Sequence, residues 1–327
     1  MSEYQANRYP MQISPVCRST IWGGNRMRER FGFVSSEENI AEAWMLSARD
    51  DHPATVQNGF LAGKRIDHVI AEDPSLIAVS NTEPVCPLLI KFIDAEDKLS
   101  VQVHPDDAYA QAVNAPDPRG KTEMWVILEA APDAALIMGT KRACSPAELR
   151  DAIESNTLLS LLQRVPVKKG DVFFIPSGLI HAIGEGILLA EIQQNCDTTY
   201  RVYDYERRQA DGSLRPLHIE DSIACSRHFT AEEIDALRFE NGDRNTLADC
   251  KYFRVTEETV PDSRCFCVGA DSFVSLLVTG GSGTLSHAGI HYPLFAGASY
   301  FLPADMGEYT VCCTKKEEPL YMILSKQ

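Results

Sequence analysis

Gln102, His104, Glu123 and His181 are the residues of this chain whose types and spacing could hold a divalent ion. They occur in Ser100-Val101-Gln102-Val103-His104-Pro105, in Lys121-Thr122-Glu123-Met124-Trp125, and at the end of the run from Gly170 to His181. Side chains alternate faces along an extended strand. Ser100, Gln102 and His104 therefore share one face, and Val101 and Val103 take the other. Lys121 and Glu123 share a face in the same way. Two imidazoles, a carboxylate and an amide supply two nitrogens and two oxygens, a donor set suited to zinc or a similar ion. Lys91, Lys121 and Arg201 lie close in sequence to these candidates, and such cations stand out in a chain of net charge -15.

Strands must position these residues. Short apolar, β-branched or aromatic runs bounded by Gly and Pro predict strands at 88–93, 99–104, 124–128, 171–175 and 187–192. The last third repeats the signal at 272–279, 299–302, 309–313 and 320–324. This density predicts a mainly β fold, a sandwich or barrel. Helical signals are fewer. Ser145-Pro146-Ala147-Glu148 reads as N-cap, N1 proline and N3 glutamate, with a helix to about 154. A further turn or helix is expected over 158–164, and a short helix over 105–115. These are insertions between strands.

An internal repeat is also legible. Gly170 to His181 aligns with Gly297 to Glu308, with the same Gly-to-Pro spacing to Pro176 and Pro303 and matching apolar residues. Glu308 stands where His181 would be. A duplicated β module with a site only in its first copy is the simplest account. Residues 206–244 connect the two, with Gly212 and Pro216 at turns.

Composition narrows the function. The acidic balance argues against a nucleic-acid partner, because phosphate neutralisation needs a basic surface. No apolar run of membrane-spanning length occurs, and the first residues lack an apolar signal region, so no membrane association is expected and the cytoplasm is the default. The ten cysteines include no Cys-x-x-Cys pair. They read as small buried hydrophobes with free thiols. His218, His228, His287 and His291 have no motif around them and read as surface or structural residues.

Together the motifs resemble a known family. Gly170-x5-Pro176-x-Gly178-x2-His181 looks like the second metal motif of cupins, and Gln102-x-His104 occupies the place of their usual His-x-His. The metal glutamate is displaced to Glu123, as if 105–120 had been inserted. Gln-Val-His-Pro, Gly120-Lys-Thr-Glu, Pro176-Ser-Gly-x-x-His-Ala and Tyr200-Arg201 resemble type I mannose-6-phosphate isomerases in their shorter bacterial form. Trp22-Gly23-Gly24 and Ala41-Glu42-Ala43-Trp44 also fit, Ala43 standing where many relatives have Gly.

The resemblance implies two cupin-like β-barrel (jelly-roll) modules with short helical insertions. Residues 1–240 would form the catalytic module and 241–327 a degenerate one. It implies a zinc-dependent aldose–ketose isomerase interconverting mannose 6-phosphate and fructose 6-phosphate, with one Zn2+ per chain. Gln102, His104, Glu123 and His181 would be the metal ligands. Arg201 matches the catalytic arginine. Lys91, Ser100 and Lys121 match positions lining the phosphate and sugar pocket, and Glu191 and Asp197 fall at acidic positions nearby.

Moving a carbonyl from C1 to C2 requires a proton to leave one carbon and return to its neighbour through an enediolate. A metal polarises the carbonyl and adjacent hydroxyl, and Arg201 stabilises the developing charge. The base is Glu191 or a water on the metal, and the residues do not decide between them. Lys121, Arg201 or Lys91, with Ser100, would hold the phosphate and orient the sugar. Arg201 has a structural alternative as ion-pair partner of Asp197 or Asp204. Two further functional classes compete. A cupin dioxygenase would use iron or copper, and Gln102 with the cation cluster argues against it. A sugar-phosphate sensor would bind without turnover, and the complete ligand set argues against that.

Overall fold

The computed structural model describes residues 8–209, 211–239, 245–315 and 317–327. Among these the chain is mainly β, and its principal strands form four sheets. Each sheet is open, running from one edge strand to another, rather than closed into a barrel.

A central sheet orders its seven strands as Arg238–Phe239, Val172–Ile175, Glu123–Ala130, Ile187–Gln194, Leu88–Ala95, Glu42–Leu46 and Val16–Arg18. A five-stranded sheet faces it, ordered Tyr200–Tyr203, Val101–Val103, His181–Ala182, Ala135–Thr140 and Leu162–Pro166. Between them lie Trp125, Ile127, Leu136, Met138, Phe173, Ile175 and Leu189. The alternate residues of the central strands, among them Phe92, Met124, Val126, Leu188 and Ala190, join Met11, Phe253, Leu277, Phe301 and Ile323 in a second core. That core belongs to the contact with another seven-stranded sheet, which includes Val274–Gly280, Ser299–Leu302 and Leu320–Lys326. A four-stranded sheet covers its far side through Leu276, Leu285, Tyr300, Val311 and Met322. The central sheet is thus apolar on both faces. All eight residues of Leu88–Ala95 and of Ile187–Gln194 are buried, which explains why these runs read as continuous rather than alternating.

The repeat has a backbone counterpart. Gly170 and Gly297 hold φ of 88° and 89°, a left-handed conformation that favours glycine. Each leads into a strand, Val172–Ile175 or Ser299–Leu302. The helix Pro146–Glu154 forms with the expected capping box on Ser145 and Glu148. The short helix is Asp107–Ala112, with Asp106 accepting from the Tyr109 N–H at its N-cap. The expectation of a turn or helix over 158–164 holds at its start and is corrected beyond it. Only Leu158–Ser160 makes a 3-10 turn, and Leu162–Pro166 is a strand. Val165 and Arg164 find ladder partners in Leu136 and Ile137, and that pairing outweighs local helix preference.

The connector 206–244 carries two helices, Ile219–Cys225 and Ala231–Ala236; residues 240–244 lie outside the described part. The strand Met11–Ser14, absent from the sequence reading, pairs with Ser299–Leu302 in the sheet otherwise built largely from residues beyond 245. All ten cysteines are free thiols, with Cys86 and Cys196 buried. No helix among the described residues is long and apolar enough to cross a membrane.

Phe92 is fully buried between the central sheet and its second seven-stranded neighbour, stacked on Phe31 at 4.7 Å. Phe92→Ala is expected to destabilise the protein by about 3–5 kcal/mol in urea unfolding. A loss under about 1 kcal/mol would mean that this layer does not hold the sheets together.

Candidate active site

The face of the central sheet turned toward the five-stranded sheet changes from apolar to charged near one end. Ladder register sets a row of directly opposed residues there: Trp44 beside Lys91, Lys91 beside Glu191, Glu191 beside Trp125. Glu123 stands two residues from Trp125 on the same strand, opposite Gln193. On the facing sheet Gln102 is opposed by both His181 and Arg201. Val101 and Val103 point away into another apolar cluster, so Gln102 and His104 are left to face Glu123. The alternation expected from the sequence thus places the candidates in the cleft between two sheets.

His104, Glu123 and His181 converge, their ligating atoms all within 4.8 Å of one another. His104 Nδ1 is 3.0 Å from the Thr198 carbonyl, and His181 Nδ1 is 2.8 Å from the Leu179 carbonyl. A carbonyl only accepts, so each Nδ1 carries the proton and each Nε2 keeps its lone pair. Glu123 places Oε2 3.6 Å from His104 Nε2 and Oε1 3.4 Å from His181 Nε2. Oε1 of Glu123 is buried with no hydrogen-bond partner. Buried acceptors aimed at one another repel unless a cation lies among them. The Lys121 ammonium takes part of that role, contacting Glu123 Oε2 and lying 3.2 Å from His104 Nε2. The residues present therefore fit a divalent metal. Gln102 presents its amide nitrogen 3.3 Å from His181 Nε2. Rotating the amide would bring its oxygen to the same place.

The surroundings tune these groups. Burial, reinforced by the Lys121 charge, holds His104 well below the ordinary histidine range. Burial lowers His181 to about 4. Both stay neutral and able to ligate at neutral pH. Glu191 is raised by burial and then by Glu123, against the pull of Lys121 and Lys91; its Oε2 accepts from the Trp125 indole N–H at 2.9 Å. For Lys91, burial opposes the charge, but Asp197, Glu42 and Glu191 outweigh it and keep the ammonium protonated. Lys121 is raised on the same balance, chiefly by Glu123. Asp197 lies 3.0 Å from Lys91 and is lowered, Lys91 and Lys121 outweighing its desolvation. Arg18 completes the network, 3.7 Å from Asp197 and above the Trp44 ring. Among the described residues, Glu42, Glu123, Glu191 and Asp197 form ion pairs with Lys91, Lys121 and Arg18. A divalent ion held among these ligands would add positive charge to the site.

Arg201 lies on the same face but at the rim. Its guanidinium donates to the Pro216 carbonyl at 2.9 Å, and its Nε has no partner. Neither Asp197 nor Asp204 forms an ion pair with it among the described residues. Asp204 instead binds Arg207 and Arg215. Burial, then the charge of Arg215, lowers Arg201 from the usual arginine range. Ser100 is buried at the start of the Val101–Val103 strand.

Sequence reasoning missed Trp125 as a donor to Glu191, Arg18 as a member of the network, and the two carbonyls that orient the histidines. Of the Ala41-Glu42-Ala43-Trp44 motif, Glu42 accepts from the Trp44 indole at 2.6 Å and lies 3.7 Å from Lys91. His218, read as structural, does support Arg201, its Nδ1 accepting from the Arg201 backbone N–H at 3.0 Å. Glu308 is exposed on the Gly307–Cys313 strand of the four-stranded sheet.

Known proteins are similar to this chain in sequence and fold. Residues 11–140 match the family described as phosphomannose isomerase type I, catalytic domain, and residues 243–316 match mannose-6-phosphate isomerase, cupin domain. A probable mannose-6-phosphate isomerase of Bacillus subtilis, GmuF, is 38% identical over 309 residues, covering 93% of this chain and 96% of that one. A mannose-6-phosphate isomerase of Streptococcus mutans is 44% identical over 214 residues, 65% of this chain and 66% of the other. The crystal structure of the mannose 6-phosphate isomerase from Bacillus subtilis superposes with a TM-score of 0.86 at 32% identity, covering 97% and 99% of the two chains.

The depressed histidines contribute to the acid sensitivity of the metal-free protein. Between pH 6.5 and about 4 the unfolded chain binds protons that buried His181 refuses, and His104 shifts in the same direction. Stability therefore falls as pH drops through that window. The melting temperature measured in chelator should decline from pH 6.5 to 4, and a double His104→Gln/His181→Gln variant should decline less. An equal slope in both would show that the histidines are not held neutral.

Proposed function

This chain belongs to the type I mannose-6-phosphate isomerase family, aldose–ketose isomerases, and we propose that it interconverts D-mannose 6-phosphate and D-fructose 6-phosphate with one zinc ion per chain. The observation that carries the reading is the convergence of His104, Glu123 and His181 beside two buried lysines. We assign Gln102 as the further ligand, through its amide oxygen. Bound zinc would supply Lewis acidity toward the sugar carbonyl and its neighbouring hydroxyl.

The chain's own residues do the rest. Glu191, with a carboxyl raised by burial, takes the proton from one carbon and returns it to the next as general base. The Trp125 indole holds the carboxylate in place for this. Arg201, with an uncommitted Nε at the rim, stabilises the enediolate oxygen. Lys121 neutralises charge beside Glu123 and meets the sugar hydroxyls. Lys91, Ser100, Lys121 and Arg201 bind the substrate, and its phosphate anchors the sugar away from the reacting carbons. Residues 1–240 carry this site in a cupin-type module, and 241–327 form a second module without ligands, its strands and those of the first module following jelly-roll paths. Such a reaction acts on a soluble sugar phosphate and calls for no nucleic acid or membrane, and a cytoplasmic location suits that substrate.

Turnover of mannose 6-phosphate should vanish in chelator and return with zinc. A folded, zinc-loaded sample without turnover would redirect the search to another sugar phosphate, and binding without reaction would favour a sensor. His181→Ala should lose bound zinc and activity together; full zinc occupancy would remove His181 from the ligand set. Arg201→Ala should keep its zinc and lose about a hundredfold or more in kcat. Wild-type turnover by that variant would take Arg201 out of the mechanism.

A further inference from the structure

Glu123 and Lys121 flank Thr122, and Thr122 is the end of a chain of hydrogen bonds that begins outside the first module. The Thr122 backbone N–H donates to Gln194 Oε1 at 2.9 Å. With its oxygen so committed, the Gln194 amide must turn Nε2 outward, and it donates to Asp107 Oδ1 at 3.0 Å. The same oxygen accepts from the Gly120 N–H at 2.8 Å. Oδ2 of Asp107 accepts from the Tyr252 hydroxyl at 2.9 Å, with Lys251 Nζ at 3.4 Å. Every partner of this carboxylate is a donor, so its charge fixes the polarity of the whole chain.

Two further contacts show that the segment is clamped. Gly120 sits so close to the start of the Asp107–Ala112 helix that a Cβ would lie 2.6 Å from the Asp107 nitrogen. The Lys121 N–H donates to the Pro105 carbonyl at 3.0 Å, one residue beyond His104. The segment before Glu123 is thus held by Asp107 and its partners. Tyr252 and Lys251 belong to the 243–316 region matched by the cupin-domain family, so this carboxylate gives the second part of the chain a polar link to the metal-ligating segment.

We propose that Asp107 is a positioning residue for Glu123 and Lys121, and that Tyr252 gives the ligand-free second module a role in setting the metal site. This rests on the proposed metal site but not on the identity of the sugar. A distorted segment moves Glu123 relative to His104 and His181, so metal affinity should fall, and outer partners of metal ligands commonly control affinity by about ten- to a hundredfold.

The experiment uses the full chain and Zn2+ alone, with affinity read by competition against a chromogenic chelator, followed by kcat and KM for mannose 6-phosphate at saturating zinc. Asp107→Asn replaces one acceptor oxygen with a donor facing donors, and should weaken zinc binding about tenfold or more, with kcat reduced more than KM is raised. Tyr252→Phe should shift both quantities in the same direction by less. Leu285→Ala, in the core between the last two sheets, serves as the stability control and should lower the melting temperature with zinc affinity unchanged. Should Asp107→Asn fail to fold, Tyr252→Phe decides alone. Wild-type zinc affinity in both polar variants, or an equal loss in Leu285→Ala, would overturn the proposal. A wild-type protein that binds zinc but does not turn over mannose 6-phosphate would sink the substrate assignment while leaving the affinity comparison intact.

Discussion

The site depends on a confrontation of acceptors. Two imidazole Nε2 lone pairs and a carboxylate oxygen point at one another in a space closed to water, and nothing in the apolar core requires them to be there. They stay because other contacts prevent them from turning away. The Thr198 and Leu179 carbonyls hold the far side of each ring, and the strand Glu123–Ala130 is locked between Val172–Ile175 and Ile187–Gln194. Such an arrangement is costly until a cation enters it. That unfavourable electrostatics is what makes the cavity selective for positive charge, and it explains why two lysines are kept buried beside it.

Sheet stacking makes this possible. The central sheet has apolar side chains on both faces, so its position is fixed by burial rather than by the site. The face opposite the five-stranded sheet carries the row Trp44, Lys91, Glu191, Trp125 with apolar neighbours beyond it. Charged residues survive there because each has a partner: Lys91 meets three carboxylates and Glu191 an indole N–H. Buried ionic groups organised in this way do little for stability, but they hold orientation, which is the property that proton transfer between adjacent carbons demands.

Much of this was legible in the residues, for identifiable reasons. Period-two alternation around Gln102 and His104 and the spacing of Gly170, Pro176 and His181 are local properties, and the structure keeps them. The capping box at Ser145 is likewise local and formed as read. The misread part of 158–164, from Leu162 on, failed because its strand exists only through partners such as Leu136 and Ile137, more than twenty positions away. The same is true of Met11–Ser14, whose partner is Ser299–Leu302. Trp125, though adjacent to a motif, could not be seen as the donor to Glu191, since that contact is a cross-strand register and registers are set by the whole sheet.

By itself the sequence determined which atoms could ligate, which strand face they share and which family's motifs they form, because these follow from residue type and short spacing. Only the tertiary structure decided that Asp204 pairs with Arg207 and Arg215 rather than with Arg201, that Lys91 and Asp197 pair, and that Asp107 ties Tyr252 to the Glu123 segment. Those facts depend on which of several chemically equivalent partners comes within hydrogen-bond reach. Reach is a matter of ladder register and sheet stacking over a hundred residues or more of chain, and no local pattern encodes it.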